Sequence, residues 1–249
     1  MLGVYDYTVV LTYLSLISAT TGILVSLPGY GHPYIGVFFL LACGLCDAFD
    51  GMVARTKKNR TVFHKNFGVQ IDSLSDLVAF GVLPACIGIA ALRTSQYLNV
   101  DESKTLFQSL KSMEIDKIPR ELIFRQITVF KYYHIILIGI AVFYVLAALI
   151  RLAYFNATED ERQKEMETTG KVHYTGLPVT SSALIFPFVM FLHFVTKFDF
   201  SILYFFVMLI VGILFLCKFK MKKIGKILLL LCILVGVIEF ILLMLVNKG

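Results

Sequence analysis

The sequence predicts an all-α fold: a polytopic integral membrane helical bundle of six to seven transmembrane helices. Hydrophobic residues make up 58% of the 249 residues and charged residues only 16%, a balance that is typical of membrane proteins and not of soluble domains. The apolar residues also form several runs of about 20, the length of a membrane-spanning helix. We therefore expect one membrane-embedded domain over residues 1–249, with a core at about residues 5–217 and an additional span at about residues 227–246.

Seven apolar segments account for these helices. Each has roughly the length that a span needs, except the sixth, which is short. In chain order, the predicted spans are Tyr7–Leu27, Pro33–Ala54, Gly68–Leu92, Ile127–Ala153, Leu177–Thr196, Phe200–Cys217 and Ile227–Val246. The longer polar segment Arg93–Thr128 separates the third span from the fourth, and we expect it to form a short amphipathic helix at the membrane surface.

Basic residues predict the orientation of the bundle. Fourteen of the 23 Lys and Arg residues lie in the loops that follow the second, fourth and sixth spans or, for Arg151, at the end of the fourth span. Because short loops rich in Lys and Arg stay on the cytoplasmic side, these three loops are expected there. The N-terminus is then cytoplasmic, and the second and third spans meet at the cytoplasmic face.

Four aspartates inside otherwise apolar segments are the most informative feature of the chain. Asp47 and Asp50 lie in the second span, and Asp72 and Asp76 lie in the third. A carboxylate at membrane depth costs about 3 kcal/mol, so such residues usually face a cavity, a partner or an ion. Spacings of three and four residues place each pair on one helix face. Two adjacent antiparallel helices would bring all four carboxylates into one pocket.

Such a pocket predicts a divalent cation site. Ionised carboxylates repel one another at low dielectric, and one or two divalent cations offset that repulsion. Ligands that are all oxygen favour Mg²⁺, Mn²⁺ or Ca²⁺ over Zn²⁺. Gly51, Ala54 and Gly68 flank the acids and leave room for a phosphate-bearing ligand, although small residues also serve helix packing in membranes. Arg55 is placed to pair with a phosphate or with Asp50.

The acidic segments resemble the motif of the CDP-alcohol phosphotransferases, which reads D-x2-D-G-x2-A-R-x8-G-x3-D-x3-D. All eight fixed positions are occupied, by Asp47, Asp50, Gly51, Ala54, Arg55, Gly68, Asp72 and Asp76. Twelve residues instead of eight separate Arg55 from Gly68. This insertion lies at the turn between the two helices and leaves both acidic faces intact.

Within that family, the chain is most similar to the phosphatidylserine synthases in Gly68–Ala85, Arg151–Asn156 and Tyr174–Pro178. The resemblance implies that serine attacks the β-phosphate of CDP-diacylglycerol, which gives phosphatidylserine and CMP. It also implies Mg²⁺ or Mn²⁺ as cofactor, with Ca²⁺ as another ion that could bind. A homodimer in contact with membrane lipids is expected as well.

The same resemblance assigns roles to the motif residues. Asp47, Asp50 and Asp72 are metal ligands, and Asp76 is both a fourth ligand and the general base for the serine hydroxyl. The CDP-lipid is expected to contact six residues, namely Asp47, Asp50, Gly51, Ala54, Arg55 and Gly68.

Three residues outside the motif are candidates for binding serine. Arg151 lies at the cytoplasmic end of a span, where its guanidinium could bind the serine carboxylate or simply extend to the membrane interface. Asn156 and Tyr174 are candidates for the other polar contacts.

Two other interpretations of the acidic residues stay open. The motif specifies the CDP-lipid and not the alcohol, so glycerol 3-phosphate or inositol is the alternative acceptor. An ion transporter is a different class of function, but it would favour acids that are spread through the membrane depth or repeated in two halves. We expect no nucleic-acid partner.

Overall fold

The fold is a bundle of helices with one pair of short strands. A computed structural model describes residues 3–28, 33–57, 61–94, 120–158, 173–196 and 201–222. Within these ranges, the helices are α1 (Val10–Ser26), α2 (Pro33–Thr56), α3 (Val62–Thr94), α4 (Arg120–Ala157), α5 (Ser182–Thr196) and α6 (Ser201–Leu216). The strands are β1 (His173–Thr175) and β2 (Lys220–Lys222).

The helices have the lengths and surfaces of a membrane bundle. Three apolar segments are long enough to cross a bilayer, namely Pro33–Val53, Val62–Thr94 and Tyr133–Ala157, and the remaining apolar helices are shorter. Large apolar side chains cover the outside, and Ile17, Val142 and Phe206 are each more than half exposed. Since lipid is the solvent that tolerates such a surface, the prediction of an all-α integral membrane bundle is confirmed.

The first six predicted spans correspond in order to the six helices. The seventh predicted span, Ile227–Val246, and most of the segment Arg93–Thr128 lie outside the described residues. The division into a core and an additional C-terminal span therefore stays a prediction.

Helix α3 begins six residues before the predicted start at Gly68, because Thr61 caps it. The hydroxyl oxygen of Thr61 accepts a hydrogen bond from the backbone N–H of His64 at 3.2 Å, which satisfies one of the free donors of the first turn. Gly68 therefore lies inside the helix, and the α-helical part continues to Asp76.

The fifth helix begins later than the predicted start at Leu177. The segment before it pairs β1 with β2 in antiparallel register, turns at Gly176 with a φ of 74°, and enters a 3-10 turn over Val179–Ser181. A positive φ suits glycine, which has no Cβ. The two short strands are a local addition to the predicted all-α fold.

Helix α1 contacts both of the acid-bearing helices, α2 and α3. Helix α1 packs along α2 and also contacts α3, while α4 packs along α6. Two glycines make close approach possible: a Cβ on Gly22 would lie 2.8 Å from the Cβ of Phe39, and one on Gly44 would lie 2.6 Å from the Cβ of Ala183. Small residues at such crossings are typical of membrane helices.

Candidate active site

The structure brings three of the four predicted aspartates into one group, which we call the acidic cluster. One carboxylate oxygen from each of Asp47, Asp50 and Asp72 lies within 4.8 Å of the other two. Two ligands of one cation can be no farther apart than twice the bond length, about 4 to 5 Å for Mg²⁺ or Ca²⁺. The donor set of the acidic cluster therefore fits a hard divalent cation in chemistry and in spacing.

Asp72 on α3 interacts with both aspartates that α2 contributes to the acidic cluster. Its side chain is hydrogen-bonded to that of Asp50 and interacts electrostatically with that of Asp47. Two carboxyl groups in such contact need a shared proton or a cation between them, because two ionised groups at this distance repel. A divalent cation between the two carboxylates would offset the charge of both.

Asp76 lies apart from this group and is more deeply buried. Asp76 is 9% exposed, and it follows Asp72 by one helical turn. It interacts electrostatically with all three carboxylates of the acidic cluster. The structure thus separates the four aspartates into a cluster of three and one neighbouring buried carboxyl group.

Hydrogen bonds to α1 hold the two acid-bearing helices. Ser18 donates to the backbone oxygen of Phe39 at 3.1 Å, and Cys43 donates to that of Ser15 at 3.3 Å, which joins α1 to α2. Ser75, which precedes Asp76, donates to the backbone oxygen of Thr12 at 3.2 Å and joins α1 to α3. Sequence reasoning did not identify Ser75, because its partner lies on a distant helix.

The motif's small residues occupy different surroundings. Gly51 is half-buried next to Asp50. A Cβ on Gly68 would meet no atom of the described chain within 4 Å, so the surface at this glycine is open. The side chains of Ala54 and Arg55 lie outside the part that the structure describes, and their predicted contacts with the CDP-lipid stay predictions.

Arg151 is buried and bound to backbone. Its side chain is only 7% exposed. Its Nε donates to the carbonyl oxygen of Leu177 at 3.1 Å, and a terminal nitrogen donates to that of Gly176 at 3.4 Å. These contacts hold the turn between β1 and α5, a role that the sequence did not suggest. Binding of a serine carboxylate by the same guanidinium stays a prediction.

Asn156 contacts α3 beside the acidic cluster. Its side-chain amide nitrogen donates to the hydroxyl oxygen of Ser73 at 2.8 Å, and Ser73 directly follows Asp72. This bond brings the end of α4 to the acidic part of α3. The side chain of Tyr174, the third candidate for serine, is outside the described part of the chain.

Comparisons with known proteins point to one family. Residues 8–102 match the family model described as CDP-alcohol phosphatidyltransferase. A CDP-diacylglycerol–serine O-phosphatidyltransferase of Saccharomyces cerevisiae is 29% identical over 162 residues, which cover 64% of this chain and 43% of the yeast protein. No solved structure matches the chain significantly.

Two archaeal relatives match shorter regions. An archaetidylserine synthase of Methanothermobacter thermautotrophicus is 38% identical over 90 residues, covering 35% of this chain and 37% of the relative. A CDP-diacylglycerol–serine O-phosphatidyltransferase of Methanocaldococcus jannaschii is 38% identical over 74 residues, covering 29% and 31%. The matches thus span less than half the length of each of these relatives.

The matched segment contains every fixed position of the motif, from Asp47 to Asp76, and both halves of the acidic site. Residues 8–102 of this integral membrane protein are therefore similar to the CDP-alcohol phosphatidyltransferase family, and the similarity includes both halves of the acidic site.

Proposed function

We propose that this protein transfers the phosphatidyl group of CDP-diacylglycerol to the hydroxyl of L-serine, giving phosphatidylserine and CMP. The observation that carries the proposal is the acidic cluster, in which motif residues from two helices supply oxygens within 4.8 Å of one another. The names of the relatives from yeast and from Methanocaldococcus jannaschii support serine as the acceptor.

In the proposed mechanism, Asp47, Asp50 and Asp72 hold one or two divalent cations, Mg²⁺ or Mn²⁺. When bound, such a cation offsets the charge of the pyrophosphate and of the departing CMP. The open surface at Gly68 supports approach of the CDP-lipid along α3. Gly51, Ala54 and Arg55 are the other proposed contacts of this substrate.

Asp76 is the proposed general base, with contact to the metal as a second role. Its carboxylate takes the proton of the serine hydroxyl as the hydroxyl oxygen attacks the β-phosphorus, and the bond from that phosphorus to the CMP oxygen breaks. Its position outside the acidic cluster and its burial support this role, because a base that is not a main metal ligand keeps an oxygen free for the proton. Arg151, Asn156 and Tyr174 are the proposed contacts of serine.

The proposal includes an orientation and an assembly. The excess of Lys and Arg in alternate loops supports an active site at the cytoplasmic face and a cytoplasmic N-terminus. The protein is proposed to act as a homodimer among membrane lipids, with CDP-diacylglycerol reaching α3 from the bilayer.

A CMP-release assay with purified protein tests the reaction. CDP-diacylglycerol in detergent micelles is incubated with Mn²⁺ and with serine, glycerol 3-phosphate or inositol, and a parallel set contains excess EDTA. Serine is expected to give the highest rate, and EDTA is expected to abolish it. A higher rate with glycerol 3-phosphate or inositol would leave the proposed transfer from CDP-diacylglycerol unchanged, but that alcohol would replace serine as the acceptor.

Substitution of Gly68 by alanine separates substrate contact from helix stability. The added methyl group meets no atom of the described residues within 4 Å, so the helix is expected to gain up to about 1 kcal/mol of stability. Because the methyl group lies where the CDP-lipid is proposed to approach, kcat/KM for CDP-diacylglycerol is expected to fall about 10-fold, the effect of about 1.4 kcal/mol.

Gly139→Ala is the matched control, since a Cβ on Gly139 in α4 also meets no atom of the described chain within 4 Å. Thermal unfolding in detergent is expected to show a similar stability gain for both variants. Equal kcat/KM values for the two variants would argue against a substrate contact at Gly68.

A further inference from the structure

Helix α3 changes its geometry directly after Asp76. Residues Leu77–Val82 are π-helical, and the α-helical pattern resumes over 83–94. A π-helical turn acts as one additional residue in a helix and occurs frequently at functional sites. If this stretch returned to α geometry, the segment of α3 that carries Asp72 and Asp76 would rotate by about 100° relative to residues 83–94.

A proline explains why the π-helical stretch needs support from another helix. Pro84 has no N–H, so it donates neither to Ala79, its partner in π geometry, nor to the carbonyl oxygen of Phe80, its partner in α geometry. The hydroxyl of Tyr144 on α4 donates to that oxygen instead, at 2.6 Å. Tyr144 is completely buried, so water cannot replace this bond.

Ser182 on α5 is hydrogen-bonded to the hydroxyl of Tyr144. Its hydroxyl lies 2.7 Å from that of Tyr144 and is completely buried as well. The single hydroxyl proton of Tyr144 goes to Phe80, because a carbonyl oxygen only accepts. Ser182 therefore donates to Tyr144, and a chain of two hydrogen bonds connects the start of α5 to the π-helical stretch.

The part of α3 beyond the π-helical stretch is fixed in the core. Leu83 and Ile87 are completely buried, and a Cβ on Gly88 would lie 2.8 Å from the ring of Tyr204. Loss of the π geometry would therefore rotate the acidic end of the helix and not the opposite end. Asp72 and Asp76 are on the end that would move.

We propose that Tyr144 and Ser182 are positioning residues, which hold the π-helical stretch and thereby direct Asp72 and Asp76 toward Asp47 and Asp50 on α2. The inference rests on the proposed function for its kinetic readout, but the geometry of the acidic cluster can also be followed by metal binding alone.

Tyr144→Phe tests the proposal, with Tyr204→Phe as the matched control. Tyr204 is also buried, and its hydroxyl donates to the carbonyl oxygen of Pro84 at 2.8 Å, beyond the π-helical stretch. Each variant loses one hydroxyl that donates a hydrogen bond to a backbone carbonyl oxygen of α3. Only Tyr144→Phe removes the support next to the aspartates.

The measurements are kcat, KM and the affinity for Mn²⁺ by electron paramagnetic resonance, all on purified folded protein. Tyr144→Phe is expected to lower kcat about 10- to 100-fold, the effect of a displacement of about 1 Å, and to weaken Mn²⁺ binding about 10-fold. Tyr204→Phe is expected to keep kcat and the Mn²⁺ affinity within about two-fold of wild type, since the hydrogen bond of Tyr204 lies outside the π-helical stretch. Ser182→Ala is expected to lower kcat and the Mn²⁺ affinity as Tyr144→Phe does, but by a smaller factor.

Equal kcat and Mn²⁺ affinity for Tyr144→Phe and wild type would overturn the inference, as would equal losses in Tyr144→Phe and Tyr204→Phe. If Tyr144→Phe does not fold, an unchanged Mn²⁺ affinity in Ser182→Ala overturns it instead. A wild-type protein that binds Mn²⁺ but forms no phosphatidylserine would refute the proposed function, while the loss of Mn²⁺ affinity in Tyr144→Phe would still support the positioning role.

Discussion

Asp76→Asn is expected to lower kcat by about 10³-fold, within the range that general base catalysis contributes. Asparagine keeps the size of the side chain but cannot take the proton of the serine hydroxyl. Asp76 is buried and lies outside the acidic cluster. Binding of CDP-diacylglycerol in the presence of Mn²⁺ is therefore expected to persist, so the loss concerns turnover and not substrate affinity.

The kinetic test needs a control that makes the same chemical change elsewhere. Asp6→Asn provides it: Asp6 pairs with Lys57 at 2.7 Å near the surface, and hydrogen bonds from Lys57 and Thr8 hold the pKa of Asp6 well below its usual value. This variant is expected to keep kcat within about two-fold, because ion pairs near the surface contribute little. Turnover by Asp76→Asn at the rate of Asp6→Asn would exclude Asp76 as the base.

Asp72→Asn is expected to weaken Mn²⁺ binding by about 100-fold or more, since even indirect partners of a metal ligand change affinity by about 10- to 100-fold. Asp72 is hydrogen-bonded to Asp50 and supplies one of the three oxygens of the acidic cluster, so its loss removes the donor that α3 contributes. Activity at limiting Mn²⁺ is expected to fall accordingly and to recover partly at high Mn²⁺ concentration.

Calorimetric titration with Mn²⁺ measures this effect directly. Asp47→Asn is expected to weaken binding in the same direction, because Asp47 supplies another oxygen of the cluster. Asp6→Asn again serves as the control and is expected to bind Mn²⁺ like wild type. An unaltered titration for Asp72→Asn would remove Asp72 from the ligand set.

The acidic cluster was predictable because it depends on the spacing of aspartates within each helix. Spacings of three and four residues place aspartates on one helix face wherever the helix lies, and a short connection makes α2 and α3 neighbours. The separation of Asp76 from Asp47, Asp50 and Asp72 was not predictable from spacing. It depends on the relative rotation of two helices, which tertiary contacts set.

The role of Arg151 shows the limit of reasoning from a single segment. At the end of an apolar run, an arginine is expected to reach water or a ligand. In the structure it is buried and donates to the carbonyl oxygens of Gly176 and Leu177. These partners lie in a turn about 25 residues away in sequence, and no local pattern indicates that pairing.

The π-helical stretch of α3 is a second feature that the sequence only partly indicated. A proline such as Pro84 removes one backbone donor from a helix, but it does not indicate which group satisfies the carbonyl oxygen that is left. The hydroxyl of Tyr144 comes from another helix. The bond therefore depends on how α4 packs against α3, which hydrophobic periodicity does not determine.

The most direct test of the proposed transfer is the ratio of phosphatidylserine formed to CMP released when purified protein is supplied with CDP-diacylglycerol, serine and Mn²⁺. Both products are measured in the same reaction by mass spectrometry. The proposed transfer predicts equal molar amounts, and neither product when Mn²⁺ is chelated. Release of CMP without phosphatidylserine, or formation of neither product with Mn²⁺ bound, would contradict it.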